Sequence, residues 1–293
     1  MRISTSSSNC FWLVIVAATA FCFLVSAQQA AAQSVLAEDM FQVHLDAAKA
    51  YQLYADASHD RTYKLNEQPL FVWTNPRRAR GQVGHLFVWM DGEYPAVVGT
   101  IFSFPWQGKP ENQRIVHEMH ALTEERIFPV NKVALKAWIP TAGNRFYPFP
   151  DTPPVAPGNA RRQLQARQLA RTFEAHTIDR EGKRWELRLL GKELMQYEGP
   201  DRIGALFAML GDAGADPELL LLVEAQRNEN QWQWRYSPVR MTDQEIYLRI
   251  GTTEVWKSEH DEKNTRFHNA ESTYDRFQDT LHHLDLNDKD DSP

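Results

Sequence analysis

Short apolar runs separated by turn residues recur along most of this 293-residue chain. The clearest pair, residues 85–90 and 96–102, flanks Asp91-Gly92, a dipeptide favoured in tight hairpin turns. Strands joined by so few residues must be antiparallel, because parallel neighbours need a long crossover connection. Similar runs follow in both halves of the chain, among them residues 133–139, 205–210, 218–225, 231–241 and 246–256. We therefore predict largely antiparallel sheet.

Each predicted series of strands is preceded by a helix. Apolar residues at three- and four-residue spacing predict one helix at about residues 36–57 and a second at about 159–176, capped by Asn159. The predicted fold class is therefore α+β, in two related halves that each consist of a helix followed by a strand meander. The matching order of elements suggests an internal duplication.

Composition sets the boundaries of the halves. Five prolines within residues 148–157 predict a semi-rigid linker at 148–158, because proline blocks both helix and central strand. The first half spans 33–147 and the second 159–256. Residues 257–293 form a polar tail with a predicted short docked helix, since apolar residues there have helical spacing: Tyr274, Phe277, Leu281 and Leu284.

Residues 1–32 have the order of a secretion signal. A single charged residue, Arg2, precedes an uncharged apolar stretch that ends in small residues. Cleavage after Ala32 is preferred, and cleavage after Ala27 also fits. Retention as an anchor is the alternative, because the apolar stretch approaches the length of a membrane span. We therefore expect an exported protein, in the periplasm or outside the cell, with no membrane segment after cleavage.

The signal segment also contains both cysteines, Cys10 and Cys22. A mature chain would therefore have no disulfide and no thiolate chemistry. Only Arg2 is lost among the charged residues, which leaves 31 basic against 38 acidic and a net charge of −7. This balance argues against nucleic acid as a partner, because phosphate binding depends on positive charge. The sequence contains no glycine-rich phosphate loop, GxGxxG or GxSxG motif, which argues against nucleotide-dependent chemistry.

The strongest candidate for chemistry is the run His117-Glu118-Met119-His120. Alternate residues of a strand share a face, so Glu118 and His120 should point together and His117 away. His85, on the preceding hairpin, could add a third zinc ligand, since imidazole and carboxylate groups commonly bind this metal. The alternative, which we expect, is that these are structural residues of a sheet, with Glu118 paired to an arginine and no cofactor present.

Two further pairs are candidates for ligand binding. Arg77 and Arg78 follow closely after Trp73 and could hold a carboxylate or phosphate in a forked geometry. Trp232 and Trp234 share a strand face and could form an exposed platform for a glycan. The ordinary alternatives are a solvated basic loop and tryptophans buried in the core.

Several segments together resemble a family of exported bacterial proteins without an assigned function. They are residues 70–76, the hairpin at 84–102, the run at 117–122, the Pro-Asp-Thr-Pro sequence at 150–153 and the segment at 185–197. The resemblance covers nearly the whole mature chain. It implies export and a single evolutionary unit, and it implies no activity, ligand or site.

These observations favour a non-enzymatic exported binding or envelope-associated protein. Its expected partner is a small molecule, a glycan or an envelope protein. The alternative is a metal-assisted hydrolase that uses His85, Glu118 and His120. Convergence of these three side chains in one concave site would favour the enzyme.

Overall fold

The fold is seen in a computed structural model that describes residues 38–75, 81–131, 138–211, 214–229, 231–259 and 269–284. Strands contain 57% of these residues, and the two helices found among them contain 11%. The prediction of an α+β class built from two helix-plus-meander halves is therefore wrong. The described chain is mostly β structure, and its sheets are antiparallel.

The helices are α1 (38–49) and α2 (Asn159–Ala170). The strands, in chain order, are β1 (Tyr51–Tyr54), β2 (Lys64–Asn75), β3 (Gln82–Asp91), β4 (Tyr94–Trp106), β5 (Lys109–Ala121), β6 (Phe128–Asn131), β7 (Tyr147–Pro148), β8 (Phe173–Ile178), β9 (Arg184–Leu189), β10 (Met195–Glu198), β11 (Arg202–Gly211), β12 (Pro217–Asn228), β13 (Gln231–Arg240), β14 (Glu245–Ile250), β15 (Thr253–Ser258) and β16 (Tyr274–His283).

The first sheet contains five strands in the order β16-β5-β4-β3-β2. Its β3–β4 hairpin confirms the turn predicted at Asp91-Gly92, where Gly92 has a φ of +61° that glycine adopts without steric cost. α1 covers one face of this sheet and buries Met40, Leu45 and Ala48 in a shared apolar core. A small separate sheet pairs β1 with β6.

The second sheet contains nine strands in the order β15-β14-β8-β9-β11-β12-β13-β7, with β10 also paired to β11. β13 and β14 are far apart in this order, yet only residues 241–244 join them. Since an extended residue spans about 3.5 Å, the sheet must curve until these strands approach each other. Arg240 at the end of β13 donates to Ser258 on β15 at 2.9 Å and so bridges the seam.

α2 packs on the same face of the second sheet as residues from both of its ends. Leu169 of α2 shares one apolar core with Tyr236 of β13 and Ile246 of β14. The opposite face of the second sheet packs against the first sheet, where Leu86 and Leu206 belong to one apolar cluster. The layers are therefore α1, first sheet, second sheet and α2.

Several predicted elements differ from the observed ones. The first helix ends at residue 49 and the second at Ala170, and a strand begins within three residues of each end. Residues 246–256, predicted as one strand, form the β14–β15 hairpin around Gly251, which has a φ of +56°. At the ends of both predicted helices, pairing with other strands outweighs the local helical pattern, and the chain forms strand there.

The short helix predicted in the tail is also wrong, because residues 274–283 form the strand β16. Tyr274 and Phe277 are both buried, and they pair with His120 and His117 of β5. The register shifts between Gln278 and the residues that follow. Such a bulge breaks the two-residue alternation of a strand, so apolar residues three and four apart can imitate a helix.

The strands also cross between the predicted halves. β7, which precedes the second helix, pairs with β13 in the second sheet, whereas β16, from the tail, pairs with β5 in the first. Each sheet thus includes a strand from outside the chain segment that forms its other strands. Two self-contained meanders do not describe this topology.

Some predictions concern residues outside the described ranges. These are the signal segment at 1–32 with its two cleavage positions, Arg77 and Arg78, and most of the strand expected at 133–139. The described residues contain no cysteine and therefore no disulfide. Among them, neither helix has the length and apolar character needed to cross a bilayer.

Candidate functional site

The three residues predicted to share a metal site lie on opposite faces of the first sheet. His85 pairs across with Ile101, which in turn pairs with His117, so these three residues share a face. Glu118 and His120 alternate with His117 and point toward the second sheet. The sheet itself therefore separates His85 from the other two. Within the described ranges, no group of three or more His, Cys, Asp or Glu side chains is arranged to hold a metal ion.

His85 lies in a buried cluster beneath α1. Its Nδ1 is 2.8 Å from Nδ1 of His44, so one ring donates and the other accepts. On the same face, Tyr51 Oη lies 2.7 Å from Nδ1 of His117. Burial lowers the pKa of His85 to about 4, so its ring is neutral at pH 7. These contacts fasten α1 and β1 to the first sheet, which is a structural role.

Glu118 lies in a polar part of the interface between the sheets. Its Oε1 accepts from Tyr274 Oη and is 3.2 Å from both that oxygen and Nε of Arg276. Arg276 also lies 3.2 Å from Asp243, in the connection between β13 and β14. Burial raises the pKa of Glu118 to about 8. Through Arg276, Glu118 joins the first sheet to the second.

His120 borders a polar cavity of about 240 Å³. Its Nδ1 donates to the carbonyl oxygen of Ala121 at 2.6 Å, and burial lowers the pKa of His120 to about 4. Arg145 and Arg240 line the same cavity. A neutral ring thus borders a cavity that carries two cations.

The predicted aromatic platform is wrong for Trp234. This residue is 4% exposed and belongs to the core beneath α2. Trp232 packs against that core, and the guanidinium of Arg162 lies 4.1 Å from the centre of its ring. The face that these tryptophans share points to the inside of the curved sheet, so the pair presents no open surface to a glycan.

An open groove of about 700 Å³ lies between β2, at the edge of the first sheet, and the β9–β10 connection of the second. Leu70 and Phe71 line it from β2, and Leu190, Leu194 and Met195 line it from the second sheet. All five side chains are half-buried and pack against the apolar core between the sheets. The groove therefore presents apolar surface from both sheets to the solvent.

Charged side chains form part of the rim of this groove. Arg167 of α2 donates two hydrogen bonds to Glu193, of 2.8 and 2.6 Å, and Gln196 donates to the same carboxylate. The hydrogen bonds from Arg167 lower the pKa of Glu193 to about 2. This pair ties the β9–β10 connection to α2. Lys192 adds an exposed cation beside it.

Sequence reasoning missed the groove and Arg240. The groove combines segments far apart in the chain, whose side chains look locally like ordinary strand residues. The sequence does contain an indication of Arg240, because this residue shares a strand face with Trp234, Tyr236 and Pro238 along β13. A charged residue therefore falls on an otherwise buried face. Such a buried charge requires hydrogen-bond partners or a ligand.

The fold and these surfaces define a two-sheet, antiparallel β protein with a groove at the edge of its sheet interface. Comparison with protein-family models, with curated proteins and with solved structures found no significant match. The resemblance to a family of exported bacterial proteins thus gains no support from these comparisons.

Proposed function

We propose that this chain is an exported, non-enzymatic binding protein that holds the apolar part of a small molecule in the groove between β2 and the β9–β10 connection. One observation carries the proposal: both sheets contribute half-buried apolar side chains to a single concave surface of about 700 Å³. Ligand sites commonly enclose about 300–1,000 Å³ and combine apolar walls with a few polar groups. The groove has this size and this composition.

The rim favours a ligand with an apolar body and one acidic end. Arg167 and Glu193 neutralise each other, so Lys192 contributes the remaining charge. An alkyl chain on Phe71 and Leu194 could direct its acidic end to Lys192. Covering such apolar surface contributes about 25 cal/mol per Å².

The geometry does not favour the alternative of a metal-assisted hydrolase. His85, Glu118 and His120 are divided between two faces of the first sheet, and none of them lines the groove. A binding function requires no such convergence.

The test uses the fluorescence of 1-anilinonaphthalene-8-sulfonate with the native protein at pH 7, followed by displacement with dodecanoate. We expect saturable binding that Leu194→Gln weakens about tenfold, which corresponds to about 1.4 kcal/mol, roughly the value of one apolar side-chain contact. Leu164→Gln is the matched control, since Leu164 is 53% exposed on α2 and does not line the groove. Thermal unfolding verifies that both variants are folded.

Two results would contradict the proposal. One is wild-type protein that shows no saturable binding of the probe. The other is an equal loss of affinity in Leu194→Gln and Leu164→Gln, because the groove would then contribute nothing specific.

A further inference from the structure

We propose a second and independent binding site, in which a small oxyanion, a phosphate or carboxylate group, occupies the polar cavity beside Arg240 and Asn144. The cavity has a volume of about 240 Å³ and lies where the seam of the second sheet meets the ends of β5 and β16. None of its lining residues lines the apolar groove. The two sites can therefore be tested separately.

The wall of the cavity carries positive charge and no carboxylate. Its lining residues, all within the described part of the chain, include Arg145 and Arg240 and contain no Asp or Glu. The whole chain has a net charge of −6, so this composition is contrary to the overall balance. A buried cation is costly unless an anion compensates it.

Arg240 is 7% exposed, and its hydrogen-bond acceptors among the described residues are uncharged groups. They are the carbonyl oxygens of Thr242, Gln244 and Glu259 and the hydroxyl of Ser258. The carboxylate of Glu259 contacts Lys257 instead. Four of the five N–H groups of Arg240 are used in this way, which holds the guanidinium in place and leaves one Nη2 hydrogen for a ligand.

The side-chain amide of Asn144 also points to a ligand in this cavity, independently of Arg240. Its Oδ1 accepts the backbone N–H of Arg145 at 2.9 Å, which identifies the other end of the amide as Nδ2. Nδ2 is buried and has no hydrogen-bond partner within the described ranges. Asn144 lines the same cavity as Arg240. An oxyanion would accept from both groups and would also compensate the charge of the guanidinium.

Isothermal titration calorimetry tests this site. The full protein is titrated with sodium phosphate and with sodium acetate, in a chloride background of constant ionic strength. The main variant is Asn144→Asp, which keeps the shape of the side chain and the Oδ1 acceptor but replaces the Nδ2 donor with a negative oxygen. We expect it to abolish saturable binding.

The matched control is Asn66→Asp. Asn66 Oδ1 likewise accepts a backbone N–H, from Gln68 at 3.2 Å, on an exposed part of β2. Affinity should be unchanged in this variant. Arg145→Gln, which removes an exposed cation, should weaken binding about tenfold and serves as the test if Asn144→Asp does not fold. The Asn144 side-chain amide resonance should shift on titration of the wild type.

The two anions distinguish the source of the ligand group. Saturable binding of phosphate alone indicates a tetrahedral anion, of acetate alone a carboxylate, and of both a general oxyanion site, and each supports the proposal. The proposal is overturned if neither anion shows saturable binding below about 10 mM. Equal affinities of Asn144→Asp and Asn66→Asp would also overturn it.

Discussion

Gly84 lies in β3 directly beneath the indole ring of Trp73, its partner on β2. A Cβ added to Gly84 would lie 2.2 Å from Cε2 and 2.3 Å from Cζ2 of that ring. Carbon atoms in contact are normally about 3.5–4.0 Å apart, so the ring would have to move by more than about 1 Å. Trp73 is 4% exposed and packs against Phe102, with 5.6 Å between the ring centroids. The ring therefore has little space into which it can move.

The expected size of the effect follows from two opposing contributions. Overpacking of a well-packed core costs about 1–3 kcal/mol. Removing a glycine also lowers the conformational entropy of the unfolded chain, which stabilises the protein by about 0.4–1 kcal/mol. We therefore expect Gly84→Ala to reduce the free energy of unfolding by about 1–2 kcal/mol.

Gly211→Ala is the matched control, because Gly211 is also a strand glycine. The nearest atoms to an added Cβ there, on Glu218 and Leu187, are 3.7 Å away, an ordinary contact. Urea unfolding followed by tryptophan fluorescence should show Gly211→Ala unchanged or more stable by up to about 1 kcal/mol. If Gly84→Ala proves as stable as Gly211→Ala, the indole ring of Trp73 does not pack tightly over Gly84.

Two further predictions concern buried carboxyl groups. Burial raises the pKa of Glu118 from 4.5 to about 8. Above pH 4.5 the unfolded state releases a proton that the folded state keeps, so the free energy of unfolding falls as the pH rises, and the contribution of this proton is lost once the pH has passed 8. Between pH 5 and pH 9, urea unfolding should show wild-type protein losing about 4 kcal/mol more than Glu118→Gln, and equal losses would argue against a protonated carboxyl. Arg235 contacts Glu224, which is 1% exposed, and Glu124, whose side chain is 52% exposed. Replacing Glu224 by Gln should cost about 3 kcal/mol and replacing Glu124 by Gln less than about 1 kcal/mol, so similar costs in thermal unfolding would count against a buried pair.

Strand positions were the most predictable part of the fold. The runs predicted at 205–210, 218–225 and 231–241 correspond to β11, β12 and β13. The first two are almost continuously apolar, the third has apolar residues at alternate positions, and turn residues bound all three. α2 begins at Asn159, at the predicted position, but the predicted cap is wrong, because the N-cap residue is Gly158 and no side chain caps the helix. The fold class was wrong because tertiary pairing converted the predicted helix ends and the tail into strands.

The candidate site was predictable only in part. Alternation along β5 correctly implied that Glu118 and His120 share a face and that His117 faces away, because this geometry belongs to every strand. The position of His85 depends on the register of β3 and β4 against β5, which the local pattern does not contain. The export signal and the roles of Arg77 and Arg78 stay predictions.

The amino-acid sequence by itself determined where the central strands of both sheets form, where the β3–β4 hairpin turns and which neighbouring side chains share a face. These properties depend on interactions between residues close together in the chain. Only the tertiary structure decided that the second sheet curves, that β7 and β16 complete sheets outside their own segments, and that Asn144 and Arg240 line one cavity. Those arrangements follow from burying the apolar faces of both sheets together, and that free energy depends on segments far apart in sequence.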